Sequence, residues 1–176
     1  MSIIFYIFTI LLANLLSAKI APLHIGPFLI SPGTFTIAAS FILRDLVQNR
    51  YGKVKTYYFI ALALILSAIT AKGLGDPMTI VIASACAFAV SESSDTEIYS
   101  RLRLPMAWRV WWSGLVGGVL DSGIFVILGL SPLGMGFIPW PFIPMAVLGQ
   151  ALFKIAMQGI GALVIAIYMK GRQSSG

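Results

Sequence analysis

The chain has 176 residues, 59% of them hydrophobic and 10% charged, with a mean hydropathy of +0.94. A soluble domain of this length carries about 25% charged residues, so the composition excludes a water-soluble globular protein and predicts an all-α integral membrane protein. The net charge of +6 does not read as a nucleic-acid footprint, because the cations sit at the ends of apolar runs, where membrane topology places them.

A spanning helix needs about 20 apolar residues, so the chain has room for six transmembrane helices in one compact bundle over residues 1–176. The spans are expected at about 3–21, 34–49, 54–71, 78–100, 110–130 and 142–169. The first lacks the basic start of a cleaved signal peptide and carries Asn14 and Lys19, so it reads as a retained span. Ala13 and Ser17 form a small-xxx-small step that lets another helix approach closely. Asn14, beside that step, would face a partner or a cavity, and Lys19 would snorkel at the outer end.

Residues 22–33 contain Pro22, Gly26-Pro27 and Pro32-Gly33, which no helix tolerates. They predict a structured loop, with a short hairpin over the mouth of the bundle as one form. His24 in this loop has no second histidine with which to hold a metal and reads as a surface side chain. Span two sets Ala38, Phe41, Asp45 and Gln48 on one face. Arg44 adjoins Asp45 but points about 100° away around the helix. Span three, with Tyr57, Tyr58 and Ser67 as its few features, reads as scaffold. Residues 72–77 form a turn, and Pro77 suits the first position of span four.

Span four carries Glu92 and Asp95 where a membrane helix should hold hydrocarbon. A carboxylate there costs roughly 2.5–3.5 kcal/mol on insertion scales, so it usually faces a bundle interior and serves a function. Phe88, Glu92, Asp95 and Tyr99 recur at i, i+4, i+7 and i+11 and share one face. Glu97 and Arg101, four apart near the membrane surface, read as a solvated pair. Cys86 is the only cysteine; it excludes a disulfide framework and a thiolate metal site and reads as a small buried hydrophobe.

Span five opens on Trp111-Trp112, an interfacial anchor, and carries a stripe of Gly114, Gly117 or Gly118, Asp121 and Phe125. Asp121-Ser122-Gly123-Ile124-Phe125 echoes Asp95-Thr96-Glu97-Ile98-Tyr99 in its order of acid, hydroxyl, isoleucine and aromatic. A neutral Pro/Gly-rich loop follows, and span six is long enough to tilt or break near Pro144. Gln150, Lys154 and Gln158 recur along it at i, i+4 and i+8. A cation that deep cannot easily snorkel and needs an anionic partner.

Orientation follows from the cations. Arg50, Lys53 and Lys55 lie between spans two and three, Arg101, Arg103 and Arg109 between four and five, and Lys170 and Arg172 after six. The other side has Lys72 and Lys19. The positive-inside rule then places both termini in the cytoplasm of a multi-pass protein of the cell (inner) membrane.

The interior charges are Asp45, Glu92, Asp95 and Asp121 against Lys154 and Arg44. Surplus acids in low dielectric either hold protons or wait for a ligand that supplies hydrogen-bond donors. A planar heterocycle with an amidine-like or amino-lactam edge matches a carboxylate bidentately. Phe41, Phe88, Tyr99, Trp111 and Phe125 are available to cover its faces. The competing use of the same acids is to pair with Lys154 and Arg44 as helix glue, in a structural membrane protein that binds no ligand. Enzyme readings lack a motif: no Gly-x-Gly-Asp, Gly-x-Ser-x-Gly or His-Glu-x-x-His occurs, nor a glycine-rich nucleotide loop. No catalytic residue, metal or cofactor is expected.

The order of these features resembles the vitamin uptake transporter family, in its queuosine precursor transporter branch. The resemblance runs from Ala13-Asn14 to Tyr168 through Phe41-Ile42-Leu43-Arg44-Asp45 to Tyr51-Gly52, Ser91-Glu92-Ser93-Ser94-Asp95-Thr96 to Ser100-Arg101-Leu102, Trp111-Trp112 to Asp121-Ser122-Gly123-Ile124-Phe125, and Phe153-Lys154. It implies a six-helix importer of 7-deazaguanine precursors of the tRNA nucleoside queuosine. It also implies that Asp45, Glu92, Asp95, Asp121 and Lys154 line the substrate site, with Asn14, Gln150, Gln158, Phe41, Phe88, Tyr99 and Phe125 as further candidates. The partners expected are that small molecule and the lipid bilayer, with a homo-oligomer or a separate energising subunit left open. In the latter case the chain would be the substrate-capture subunit of an energy-coupling-factor-type importer, docking through Ala13 and Ser17.

Overall fold

The computed structural model describes residues 2–20, 23–25, 28–30 and 32–173. Its helices are α1 (Ser2–Lys19), α2 (Gly33–Tyr51), α3 (Lys53–Gly73), α4 (Met78–Arg101), α5 (Met106–Phe125) and α6 (Ile143–Gln173). Between α1 and α2 stands a hairpin of two three-residue strands, β1 (Leu23–Ile25) and β2 (Phe28–Ile30). It pairs antiparallel with Leu23 opposite Ile30 and Ile25 opposite Phe28. This is the hairpin that the proline and glycine pattern of the first connection suggested, and its second strand packs on α6, with Phe28 against Gly149.

The apolar runs became helices within a few residues of their expected limits, and the deviations have local causes. Helix α5 starts at Met106, directly after Pro105, so Trp108 and Arg109 belong to its first turn and not to the connection before it. Its far end relaxes into a π turn at Val126–Leu130, closed by the Ser131 N–H donating to the Val126 carbonyl at 2.9 Å. Helix α6 does not break at Pro144. A 3₁₀ turn at Trp140–Phe142 precedes it, and Pro144 falls in its first turn, where the missing N–H has no intrahelical partner to lose. Gly52 alone separates α2 from α3. Its φ of 83° and ψ of 166° form a combination open essentially to glycine, and its N–H closes α2 on the Gln48 carbonyl at 2.9 Å.

Neighbouring helices pack in the cyclic order α1, α2, α6, α5, α4, α3, so that α3 returns to α1 and the six close a ring. The α5–α6 pairing is antiparallel: Gly114 faces Gln158 and Gly118 faces Lys154. On the inner side of the same helix, Gly117 lies where a Cβ would meet that of Asp95 at 3.2 Å. The glycine stripe of α5 is thus what allows the polar side chains of α4 and α6 to come together behind it.

The segments Lys53–Gly73, Met106–Leu130 and Trp140–Ile167 are long and apolar enough to cross a membrane. Helices α2 and α4 are less apolar because they carry the interior charges Arg44, Asp45, Glu92 and Asp95. The outward faces are hydrocarbon: Phe8, Ile65, Ile69, Ile82, Leu163, Val164 and Ile167 are all exposed. Cys86, expected to be buried, lies on this outer face. An exposed thiol among lipid-facing side chains meets the same apolar surroundings as a buried one, so hydropathy alone does not separate the two positions.

Candidate functional site

Two polar layers are stacked along the ring. The upper is a cavity of about 100 Å³, room for several waters. It lies at the end where α2 and α4 begin, and all six helices reach it. Ile10 and Ala13 of α1, Thr34 and Ile37 of α2, and Ala71 of α3 form one side. Ser84, Ala87 and Phe88 of α4, Asp121 and Phe125 of α5, and Gln150 and Lys154 of α6 form the other.

The centre of this wall is the Asp121–Lys154 ion pair. Lys154 Nζ also donates to Ser122 Oγ at 3.1 Å, and Ser91 Oγ approaches Asp121 Oδ1 at 3.5 Å. An ammonium has three N–H donors, and these contacts use two, leaving one for the cavity. Gln150, one helical turn along the same face of α6, adds an amide. Phe88 and Phe125 supply flat apolar walls from α4 and α5. Asp76, in the connection between α3 and α4, lines the mouth, where burial pushes its carboxyl up from the ordinary value.

The lower layer is a sealed ionic cluster. Glu92 follows Phe88, the innermost cavity residue of α4, by four residues, or about 6 Å of helical rise. Arg44, Asp45, Glu92 and Asp95 are all fully buried. The Arg44 guanidinium lies 2.9 Å from Asp45 Oδ1 and 3.3 Å from Glu92 Oε2, contacts Asp95 and donates to Thr96 Oγ1 at 3.0 Å. Asp45 Oδ2 and Asp95 Oδ1 are buried without a hydrogen-bond partner. The Tyr6 hydroxyl faces Glu92 from α1. Beneath the cluster, Gln48 Nε2 ties α2 to α4 by donating to the Thr96 carbonyl at 3.1 Å and Ser100 Oγ at 2.8 Å.

The residues singled out from sequence therefore fall into separate groups. Phe88, Asp121, Phe125, Gln150 and Lys154 line the cavity together. Asp45, Glu92 and Asp95 are gathered around Arg44 below it. Phe41 is buried but does not line the cavity. Tyr99 is buried and occupied: the Arg109 guanidinium stacks 3.9 Å over its ring and Nε donates to its carbonyl at 2.9 Å. Gln158 donates to the Val110 carbonyl at 3.1 Å, one to two turns past Lys154. The side chains of Asn14 and Ser17 lie outside the described residues. Ala13 is 2% exposed and faces the cavity, so it offers no outer surface for docking.

Nothing in the sequence marks Thr34, Asp76 or Ser84 as cavity residues, whereas Arg44, counted among the interior charges as a possible partner of the acids, does meet Asp45, Glu92 and Asp95. Asp76-Pro77 reads as turn chemistry, and lone hydroxyls in apolar runs carry no signal. Arg44 does diverge from Asp45 at its Cα, but its long stem swings the guanidinium back between α2 and α4. Glu97, by contrast, is the half-exposed surface partner expected: Arg101 lies at 3.5 Å and Lys53 at 2.6 Å.

Helices apolar outside and a charged, aromatic-walled cavity within are the build of a membrane protein with a candidate small-molecule site in its interior. A family model described as "Putative vitamin uptake transporter" matches residues 68–169, more than half of the chain, and the chain belongs to this vitamin uptake transporter family. The matched stretch holds Glu92, Asp95, Asp121 and Lys154 and leaves out α2 with Arg44 and Asp45. No curated protein and no solved structure matches the chain.

Proposed function

We propose that this protein is a single-domain importer that crosses the cell (inner) membrane six times and carries a 7-deazaguanine precursor of queuosine inward. The observation that carries the reading is the Asp121–Lys154 pair, with Gln150 beside it, in the wall of a cavity faced by Phe88 and Phe125. A guanine-like edge offers an N1–H and an exocyclic amine beside a carbonyl oxygen. Asp121 would accept the two donors, the free N–H of Lys154 or the Gln150 amide would meet the carbonyl, and the phenylalanines would cover the ring. The position of Lys154 fits this role better than glue alone, because a purely structural pair gains nothing from facing a cavity.

Asp45, Glu92 and Asp95 stand one layer away and act on the conformation that encloses the substrate. Cells unable to make the precursor provide the test. Expressing the chain should restore queuosine in their tRNA from external 7-deazaguanine. Asp121→Asn, which presents a donor to the ligand's donors, should lower uptake at limiting substrate about tenfold or more, since a charged hydrogen bond is worth roughly 1.5–3 kcal/mol. Normal uptake by that variant, at equal protein in the membrane, would remove the cavity as the site. Uptake by the purified chain alone in vesicles separates an importer from a capture subunit that needs a second protein.

A further inference from the structure

The Arg44 cluster does not balance. It sets one guanidinium against three carboxylates, all fully buried. Among the described residues the other buried cation, Lys154, is matched with Asp121. Two negative charges are thus left without a counter-charge in the interior of an apolar bundle, where an unpaired ion is strongly disfavoured.

Among the described residues no cation besides Arg44 forms an ion pair with the cluster. Tyr6 from α1 and Gln48 from α2 are neutral, and Thr96 and Tyr99 from α4 bring hydroxyls. Tyr57 on α3 is held by Glu97 at 2.8 Å. On α5, Asp121 adds a further negative field at Glu92, and the Arg109 guanidinium, stacked on the Tyr99 ring and bonded to its carbonyl, reaches Asp45 only through its longer-range field, with no ion pair to the three carboxylates. From α6, Lys154 lies on the cavity side. Among the described residues no group of acids is spaced to hold a metal ion, and the guanidinium already occupies the centre.

We infer that the cluster is a proton-binding site: at neutral pH it holds protons on its carboxyl oxygens, with Glu92, nearest the cavity, as one carrier. This rests on the transporter reading above for its role, which is coupling. A proton entering from the cavity forms an O–H bond on Glu92 and leaves to water on the other side when the cluster opens. One positive charge then moves inward with each proton, and no other reactant is consumed. Opening the seal between α2 and α4 exposes a nearly neutral cluster in place of a doubly charged one, so protonation and reorientation are linked.

The binding step can be tested without any substrate. The infrared spectrum of the purified full chain at neutral pH should show the carbonyl stretch of protonated carboxyl groups, shifted by deuterium oxide and diminished in Glu92→Gln. Absence of that band from the wild-type protein overturns the proposal, whatever the protein carries. Coupling is read in liposomes containing a pH-sensitive dye. External aminomethyl- or cyano-7-deazaguanine should acidify the lumen as it enters, and an inward proton gradient should concentrate it several-fold. Glu92→Gln should still exchange labelled for unlabelled substrate but accumulate none, its ratio falling to about one. Entry without acidification, or accumulation driven by a sodium gradient alone, overturns the coupling role. A protonated-carboxyl band with no uptake of either compound refutes the 7-deazaguanine reading and leaves the proton site standing.

Discussion

Lys154 can lie within an apolar helix because Asp121 faces it across the α5–α6 interface, with Ser122 taking a second N–H. Each charge is tolerable only while the other is present. Lys154→Met should therefore leave Asp121 uncompensated and cost about 3–5 kcal/mol, seen as a lowered melting temperature in detergent. Pairing it with Asp121→Leu should recover most of that stability, since an apolar pair of similar volume is often neutral or better. The double variant should still not transport. Recovery of both stability and uptake would make the pair helix glue and remove the ligand role. The need for this partner was legible from the sequence, because a cation ten residues inside a span has few alternatives. Which acid would answer was not legible, since Asp45, Glu92, Asp95 and Asp121 all qualified by depth. The answer depended on helix adjacency, and Arg44 claimed the other three.

The stripe of α5 shows how much an element's period determines. Gly114, Gly117, Gly118 and Asp121 share a face by helical spacing alone, and in the structure that face meets Gln158, Asp95 and Lys154. A side chain at Gly117 would press on the Asp95 Cβ at 3.2 Å, which belongs to a helix fixed by the buried cluster. Gly117→Val should therefore separate α4 from α5 and cost about 1–3 kcal/mol, the usual cost of overpacking. Gly123→Ala is the control: nothing lies within 4 Å of its added Cβ, and replacing a helical glycine should stabilise by roughly 0.5–1 kcal/mol. Thermal unfolding of the two variants reads the contrast, and equal melting temperatures would mean that α4 and α5 are not held in this packing. The same period placed Phe88, Glu92, Asp95 and Tyr99 on one inward face, and all four are buried. It did not say that Arg109 would cover Tyr99 and divide that face, because Arg109 belongs to a turn whose start depended on Pro105.

For the whole molecule the decisive pattern is charge against depth. Of its twelve lysines and arginines, Arg44 and Lys154 are buried, and Lys19 and Lys72 belong to the end where α1 and α3 finish. The remaining eight lie at the opposite end: Arg50, Lys53, Lys55, Arg101, Arg103, Arg109, Lys170 and Arg172. The cavity, lined by Thr34 at the start of α2 and by Asp76, belongs to the cation-poor end, and the Arg44 cluster separates it from the cation-rich end. If cations remain in the cytoplasm during insertion, the cavity faces the outside and the cluster closes the inner half, as an importer waiting for substrate requires. Reporter tags before Met1 and after Gly176 should then both score as cytoplasmic, and a tag in the connection at 131–139 should score as external. Changing Lys53, Lys55, Arg101 and Arg103 to glutamine should weaken this preference, since the rule counts cations and not net charge. An external score from one terminus alone would mean an odd number of crossings, and external scores from both would turn the cavity of an importer toward the wrong side of the membrane.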